Sequence, residues 1–224
     1  MNGSLIRKRE VARRMFAYEM NRSTYRLPKE DEKSPTYILT PLGLRVNRVF
    51  MVGALLDKEE IKPDSGIWRI RVSDPTSAVY GYVSRFQPDA LESLMEIDVP
   101  ELVAIVGKVR TFEVGARIFV SLRPEYIVPV ESDVRDYWVY ETAKKTIERI
   151  KAMEKKEDDD CKLAWQIYNP NLNEYRQMVK QALLSLREGV VAEGEEEEEE
   201  IKAFEEEFEF EEEEWDLSDL LKEE

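Results

Sequence analysis

Between Tyr37 and Val130 the chain is written largely in period two. Five β-rich runs stand out: "LRVNRVFMVGALLDKEEI", "SGIWRIRVSD", "SAVYGYVSRF", "ELVAIVGKVRTFEVG" and "ARIFVSLRPEYIVPV". In most of them apolar and polar residues alternate, the mark of a strand with one face in a core. The sequence "DPTS" is a turn by its chemistry, since proline fixes φ, and the last two runs join near Gly115. A helical segment, "QPDALESLMEI", interrupts between the third and fourth runs, with Pro88 early in its first turn. Strand count alone leaves small sandwiches and other barrels open. Three strands, a short helix and two more strands favour the five-stranded OB barrel. The expected fold class is a mainly β core with helical extensions.

Alternation also assigns faces. In the second run Trp68, Ile70 and Val72 point inward, leaving Arg69 and Arg71 outward. In the third, Val79, Gly81 and Val83 are inward and Tyr80 and Tyr82 outward. In the fourth, Val103, Ile105, Gly107 and Val109 are inward and Lys108, Arg110 and Phe112 outward. In the fifth, Ile118, Val120 and Leu122 are inward and Arg117, Phe119, Ser121 and Arg123 outward.

The outward sets are mostly cations and aromatic rings. Single-strand binders use that combination: cations track phosphates, and rings stack bases for about 1–3 kcal/mol each without reading sequence. The competing reading is a protein interface, or arginines paired with nearby acids. Residues 37–130 hold 11 basic and 12 acidic side chains, so the region is not strongly basic. There is no histidine, a single cysteine (Cys161) and no Gly-Lys-Ser/Thr phosphate loop. No cofactor, structural zinc site or catalytic role is expected.

Before the strands, residues 4–20 read as a helix capped by Ser4, with a basic flank at Arg7, Lys8, Arg9, Arg13 and Arg14. It either docks on its neighbour or meets phosphate. Residues 26–36 read as a polar linker, so 1–36 form one N-terminal unit. After the strands, residues 131–192 carry a helix from about Asp133 to Lys155, a break at "KEDDD", and a helix from Leu172 to Glu188 stopped by Gly189.

Residues 193–224 hold 19 Asp and Glu against Lys202 and Lys222, a local charge of −17. The whole chain has 33 basic and 48 acidic residues, a net −15, so the first 192 residues hold 31 and 29, a net +2. The acidity therefore belongs to this low-complexity segment and does not argue against a nucleic-acid partner for the body. Such a segment is expected to be disordered when free. Phe204, Phe208, Phe210, Trp215, Leu217, Leu220 and Leu221 are interleaved in it. It is either a solubilising tail, a docking peptide for replication or repair proteins anchored by "WDLSDLL", or a rival to DNA for the cationic face. No apolar run approaches the roughly 18 residues of a membrane span, and no signal-peptide core precedes the body, so a soluble, cytoplasmic protein is expected.

Several blocks resemble the archaeal replication protein A family, more closely its smaller OB-fold subunits, the RPA-associated proteins. They are "REVARRMFAYEMNRST", "SPTYILTPLGLRVNRVFMVGALL", "VSDPTSAVYGY", "FQPDA", "GKVRTFEVGARIFVSLRPE" and "DYWVYETAKKTIERI". The resemblance runs from about Arg9 to Ile150. It implies an OB domain in a heteromeric single-stranded DNA-binding complex for replication, repair and recombination. It also implies DNA contact on the second and third strands, where this chain has Arg69, Arg71, Tyr80 and Tyr82. A post-barrel helix would bundle with helices of the other subunits, a role that falls on Trp138, Tyr140, Ala143, Ile147 and Ile150. The alternative for that helix is closure on the chain's own last helix as a hairpin.

Overall fold

The computed structural model of the chain describes residues 10–29 and 35–188. Five strands close a barrel: β4 (Arg48–Glu60), β5 (Trp68–Ser73), β6 (Ala78–Val83), β7 (Glu101–Val114) and β8 (Arg117–Pro129). Their order around the wall is β4-β5-β6-β8-β7, with β4 also pairing β7. All pairs are antiparallel except β6 with β8, which meet in parallel at Gly81 and Leu122. This is the OB barrel expected from the strand order.

The inward residues meet as the alternation requires. Trp68, Ile70 and Val72 stand opposite Val83, Gly81 and Val79. Ile70, Val79, Val83, Val103, Ile105 and Leu122 are all buried in one core. Two glycines allow the wall to bend over itself. A Cβ on Gly53 would strike the carbonyl oxygen of Ser73, and one on Gly107 that of Arg123. Register shifts mark the same regions, between Leu55 and Asp57 on β4 and between Val106 and Gly107 on β7. Ile118 departs from its expected inward position and is 42% exposed, because it lies at the turn end of the β7–β8 hairpin.

Helix α2 (Pro88–Glu96) sits between the third and fourth barrel strands, burying Ala90 and Leu94. Its terminal carbonyls at Leu94 and Met95 accept from Lys58 Nζ of β4, which satisfies groups a helix end otherwise leaves open. The N-terminal helix exists but is short: α1 spans Ala17–Asn21. Residues ahead of it run extended, Arg13 donating to Arg48 O and accepting from Phe50 N, so part of the expected helix is spent alongside β4. A small sheet of β1 (Tyr25–Arg26), β2 (Ile38–Leu39) and β3 (Arg45–Val46) occupies ground read as linker and strand entry.

Three helices follow the barrel: α3 (Ser132–Lys155), α4 (Asp159–Tyr168) and α5 (Leu172–Glu188). Helix α4 was not anticipated. Its start is capped by Asp158, which accepts from Cys161 N, and its side chains tie it inward. Trp165 Nε1 donates to Met153 O, and Tyr168 Oη donates to Leu39 O. Among the described residues no helix is long and apolar enough to cross a membrane.

Candidate nucleic-acid interface

The strand register brings the predicted outward residues onto one stretch of wall. On β5 and β6, Arg69 stands opposite Tyr82 and Arg71 opposite Tyr80. On β7 and β8, Lys108 faces Arg123, Arg110 faces Ser121, and Phe112 faces Phe119. Arg117 lies at the hairpin end, opposite Val114. Because β5, β6, β8 and β7 are consecutive in the barrel, the register sets all ten residues on neighbouring strands, on the side of the sheet opposite Ile70, Gly81 and Leu122. Tyr82 meets Phe112 edge-on, with ring centroids 5.9 Å apart, so the two halves of the wall touch through their rings.

Three of these side chains are far less accessible than an open face would leave them. Arg69 is 3% exposed, Tyr80 7% and Tyr82 3%. Arg69 ion-pairs with Glu59 of β4 and lies over the Tyr80 ring, 5.6 Å from its centroid. The register also puts Asp57 opposite Arg71. Glu59 and Asp57 were missed by the sequence reading: strict alternation from the buried Leu55 turns them inward, and only the register shift between Leu55 and Asp57 brings them to the arginines' side of the sheet. The β7–β8 hairpin is braced as well, Arg26 of β1 donating to the Thr111 side chain and carbonyl.

Among the described residues no cluster of His, Cys, Asp or Glu could hold a metal ion. Cys161 is buried, and its thiol is pushed up to about 11, chiefly by that burial. It has the character of a packing residue, lying against Gly43.

The residues assigned to assembly divide between two faces of α3. Trp138, Ala143 and Ile150 are buried inside the chain. Trp138 Nε1 donates to Phe50 O at 3.0 Å and the ring meets Phe16 edge-on. Tyr140 and Ile147 are exposed, in company with Val134 and Tyr137, which the sequence reading had not picked out. Helix α5 packs along α3, burying Tyr175, Met178, Val179 and Ala182, so the two helices do close on each other. The docking residues Trp215, Leu217, Leu220 and Leu221 lie outside the described residues.

The fold therefore defines a class: an OB-barrel protein with a three-helix C-terminal extension. Solved structures are similar to part of the chain. The S. pombe Stn1–Ten1 complex contains a chain similar at a TM-score of 0.50 and 12% identity, covering 66% of this chain and all of that one. A replication protein A heterotrimer bound to single-stranded DNA is similar at a TM-score of 0.44 and 12% identity, over 62% of this chain and 98% of that one. The second single-stranded DNA-binding protein of Mycobacterium smegmatis is similar over 39% of this chain and 90% of its own, at 0.32 and 17%. No protein-family profile matches the sequence, and no curated protein does. At 12% identity the likeness to the Stn1–Ten1 chain shows the fold alone.

Proposed function

We propose that the chain is a non-catalytic subunit of a replication protein A-type complex, binding single-stranded DNA through the outer wall of β5, β6, β8 and β7. One observation carries this reading: four consecutive strands gather Arg69, Arg71, Tyr80, Tyr82, Lys108, Arg110, Phe112, Arg117, Phe119 and Arg123 on one surface. Cations neutralise phosphates and rings stack bases, so binding is salt-dependent and tolerant of sequence. The known single-strand binders and heteromeric complexes among its structural neighbours accord with that reading.

Assembly goes through α3. Its exposed apolar stripe, Val134, Tyr137, Tyr140 and Ile147, is presented away from the buried face that carries Trp138 and Ala143. A helix of another subunit is the partner of matching chemistry. Replication and repair proteins as partners of residues 193–224 form part of the same proposal, with the cytoplasm as its setting.

The second reading is an adaptor whose barrel wall binds protein; the burial of Tyr80 and Tyr82 within the chain counts against base stacking on those two rings. Titration of a fluorescent oligo-dT separates the two. The DNA-binding reading expects saturable binding by the isolated chain that weakens about tenfold or more in Tyr80→Ala, the loss of one stacked base. No binding by the isolated chain, or binding indifferent to Tyr80→Ala and Lys108→Ala alike, would establish the adaptor instead.

A further inference from the structure

Helices α3 and α5 leave a groove of about 510 Å³ between them. Ile150 of α3 and Val179 of α5 are buried at its base, while Ile147 and Leu184 stand open at 38% and 41% exposure. Its lining is also charged. Lys151, Arg176 and Lys180 stand against one carboxylate, Glu154, which pairs with Arg176 across the groove. Three cations less one anion leave +2, carried by two exposed lysines, Lys151 and Lys180.

An apolar trough with surplus cations selects what can cover it. A nucleic acid would meet the lysines but leave Ile147 and Leu184 in water. A neutral helix would bury those two side chains and leave the lysines without counter-charge. A helix with an apolar stripe and acidic flanks does both, since lysine stems lie along apolar surface while their ammonium heads reach carboxylates. Between Ile147 and Glu154 α3 rises about 10 Å, so the groove seats about two helical turns.

We propose that the α3–α5 groove is a docking site for an acidic amphipathic helix of a partner protein. Its apolar side chains pack on Ile147, Leu183 and Leu184, and its carboxylates meet Lys151 and Lys180. Every lining residue belongs to α3 or α5, so the site is separate from the DNA-binding wall and, Ile147 apart, from the stripe assigned to assembly.

Anisotropy with two synthetic peptides tests it. One is a labelled helix with leucines on one stripe and glutamates elsewhere; the other carries lysine at each glutamate. The full chain should bind the acidic helix saturably and about tenfold or more tighter than the basic one, the gap narrowing as salt rises. Lys151→Glu combined with Lys180→Glu should reverse the preference, a gain of binding that an unfolded variant cannot produce. Leu184→Ser should weaken the acidic helix several-fold at every salt. Equal binding of the two helices would make the groove an apolar seat for a subunit helix and overturn the proposal. Displacement of the acidic helix by oligo-dT would assign the lysines to nucleic acid, and overturn it as well. Binding that appears only once residues 193–224 are removed would make that acidic segment the occupant in place of a partner. A chain that binds the acidic helix but no oligo-dT loses the DNA reading and keeps this site.

Discussion

Asp74 shows how a turn residue acquires a second task. In sequence it belongs to "DPTS", a turn by its proline. In the structure its carboxylate is buried, with Oδ1 accepting from Thr76 N, Thr76 Oγ1 and Ser77 N, and Oδ2 accepting from Ala17 N at 2.6 Å. Ala17 opens α1, whose own N-cap residue, Phe16, offers no side-chain acceptor. Asp74 therefore caps a helix 57 residues away. Burial pushes its pKa up from 3.8 to about 6, against the pull of those donors. A raised acid binds its proton more readily folded than unfolded. Its contribution to stability is therefore full below about pH 4 and lost as pH rises through about 6. Asp74→Asn presents an amide donor to a cluster of donors and should cost about 1–3 kcal/mol. Denaturant titrations across pH 4–7 should show the wild type's margin over the variant narrowing as pH rises through that window. A margin that widens would refute the assignment.

At the scale of elements, α3 is the joint between barrel, N-terminus and last helix. Glu19 of α1 is fully buried, and its carboxylate accepts from Thr40 Oγ1 at 2.8 Å and pairs with Arg149 of α3 at 2.6 Å. Removing one partner of a buried pair leaves an uncompensated charge, so Arg149→Leu should cost about 3–5 kcal/mol. The double replacement Glu19→Met with Arg149→Leu should cost clearly less than the two single changes added together, as a double-mutant cycle by chemical denaturation will read. The two faces of α3 predict a contrast as well. Trp138→Ala should destabilise the chain by about 3–5 kcal/mol, while Ile147→Asp should leave folding intact and weaken subunit association. Sedimentation of the reconstituted complex checks the second half.

These elements also mark what the sequence made legible. The five strands and α2 were readable because alternation and turn chemistry are local. The sharing of apolar residues between two faces of α3 was not, since Tyr140, Ala143, Ile147 and Ile150 fall in one stripe by their three- and four-residue steps, with Trp138 on the other side of the helix from Tyr140. Which of them is covered depends on Phe50, Phe16 and α5. The extended run at Arg13 follows from pairing with Arg48 and Phe50, a tertiary contact that overrides helix propensity. Alternation assigned the cations and rings to one side of each strand, but the acids beside Arg69 and Arg71 follow from the β4–β5 register, shifted between Leu55 and Asp57. Periodicity gives faces and leaves register open.

At the scale of the whole molecule the question is charge. The first 192 residues are near neutral, with 31 basic and 29 acidic side chains, and the −15 total comes from residues 193–224. A covalently attached charge of −17 opposes the approach of any polyanion to the chain by long-range repulsion. This repulsion acts over a Debye length, about 10 Å at 0.1 M salt and about 3 Å at 1 M. Deleting residues 193–224 should therefore speed association with oligo-dT and raise affinity several-fold at low salt, with the two chains converging as salt rises. Direct competition for the cationic face predicts something further. Adding the deleted peptide back in trans would inhibit DNA binding at concentrations where its charge alone is screened. Stopped-flow association rates with and without the peptide distinguish repulsion from competition, because only competition survives physical separation of the two parts. Equal rates and equal salt slopes for full and shortened chains would mean that the acid segment serves solubility or partner docking and leaves DNA binding alone.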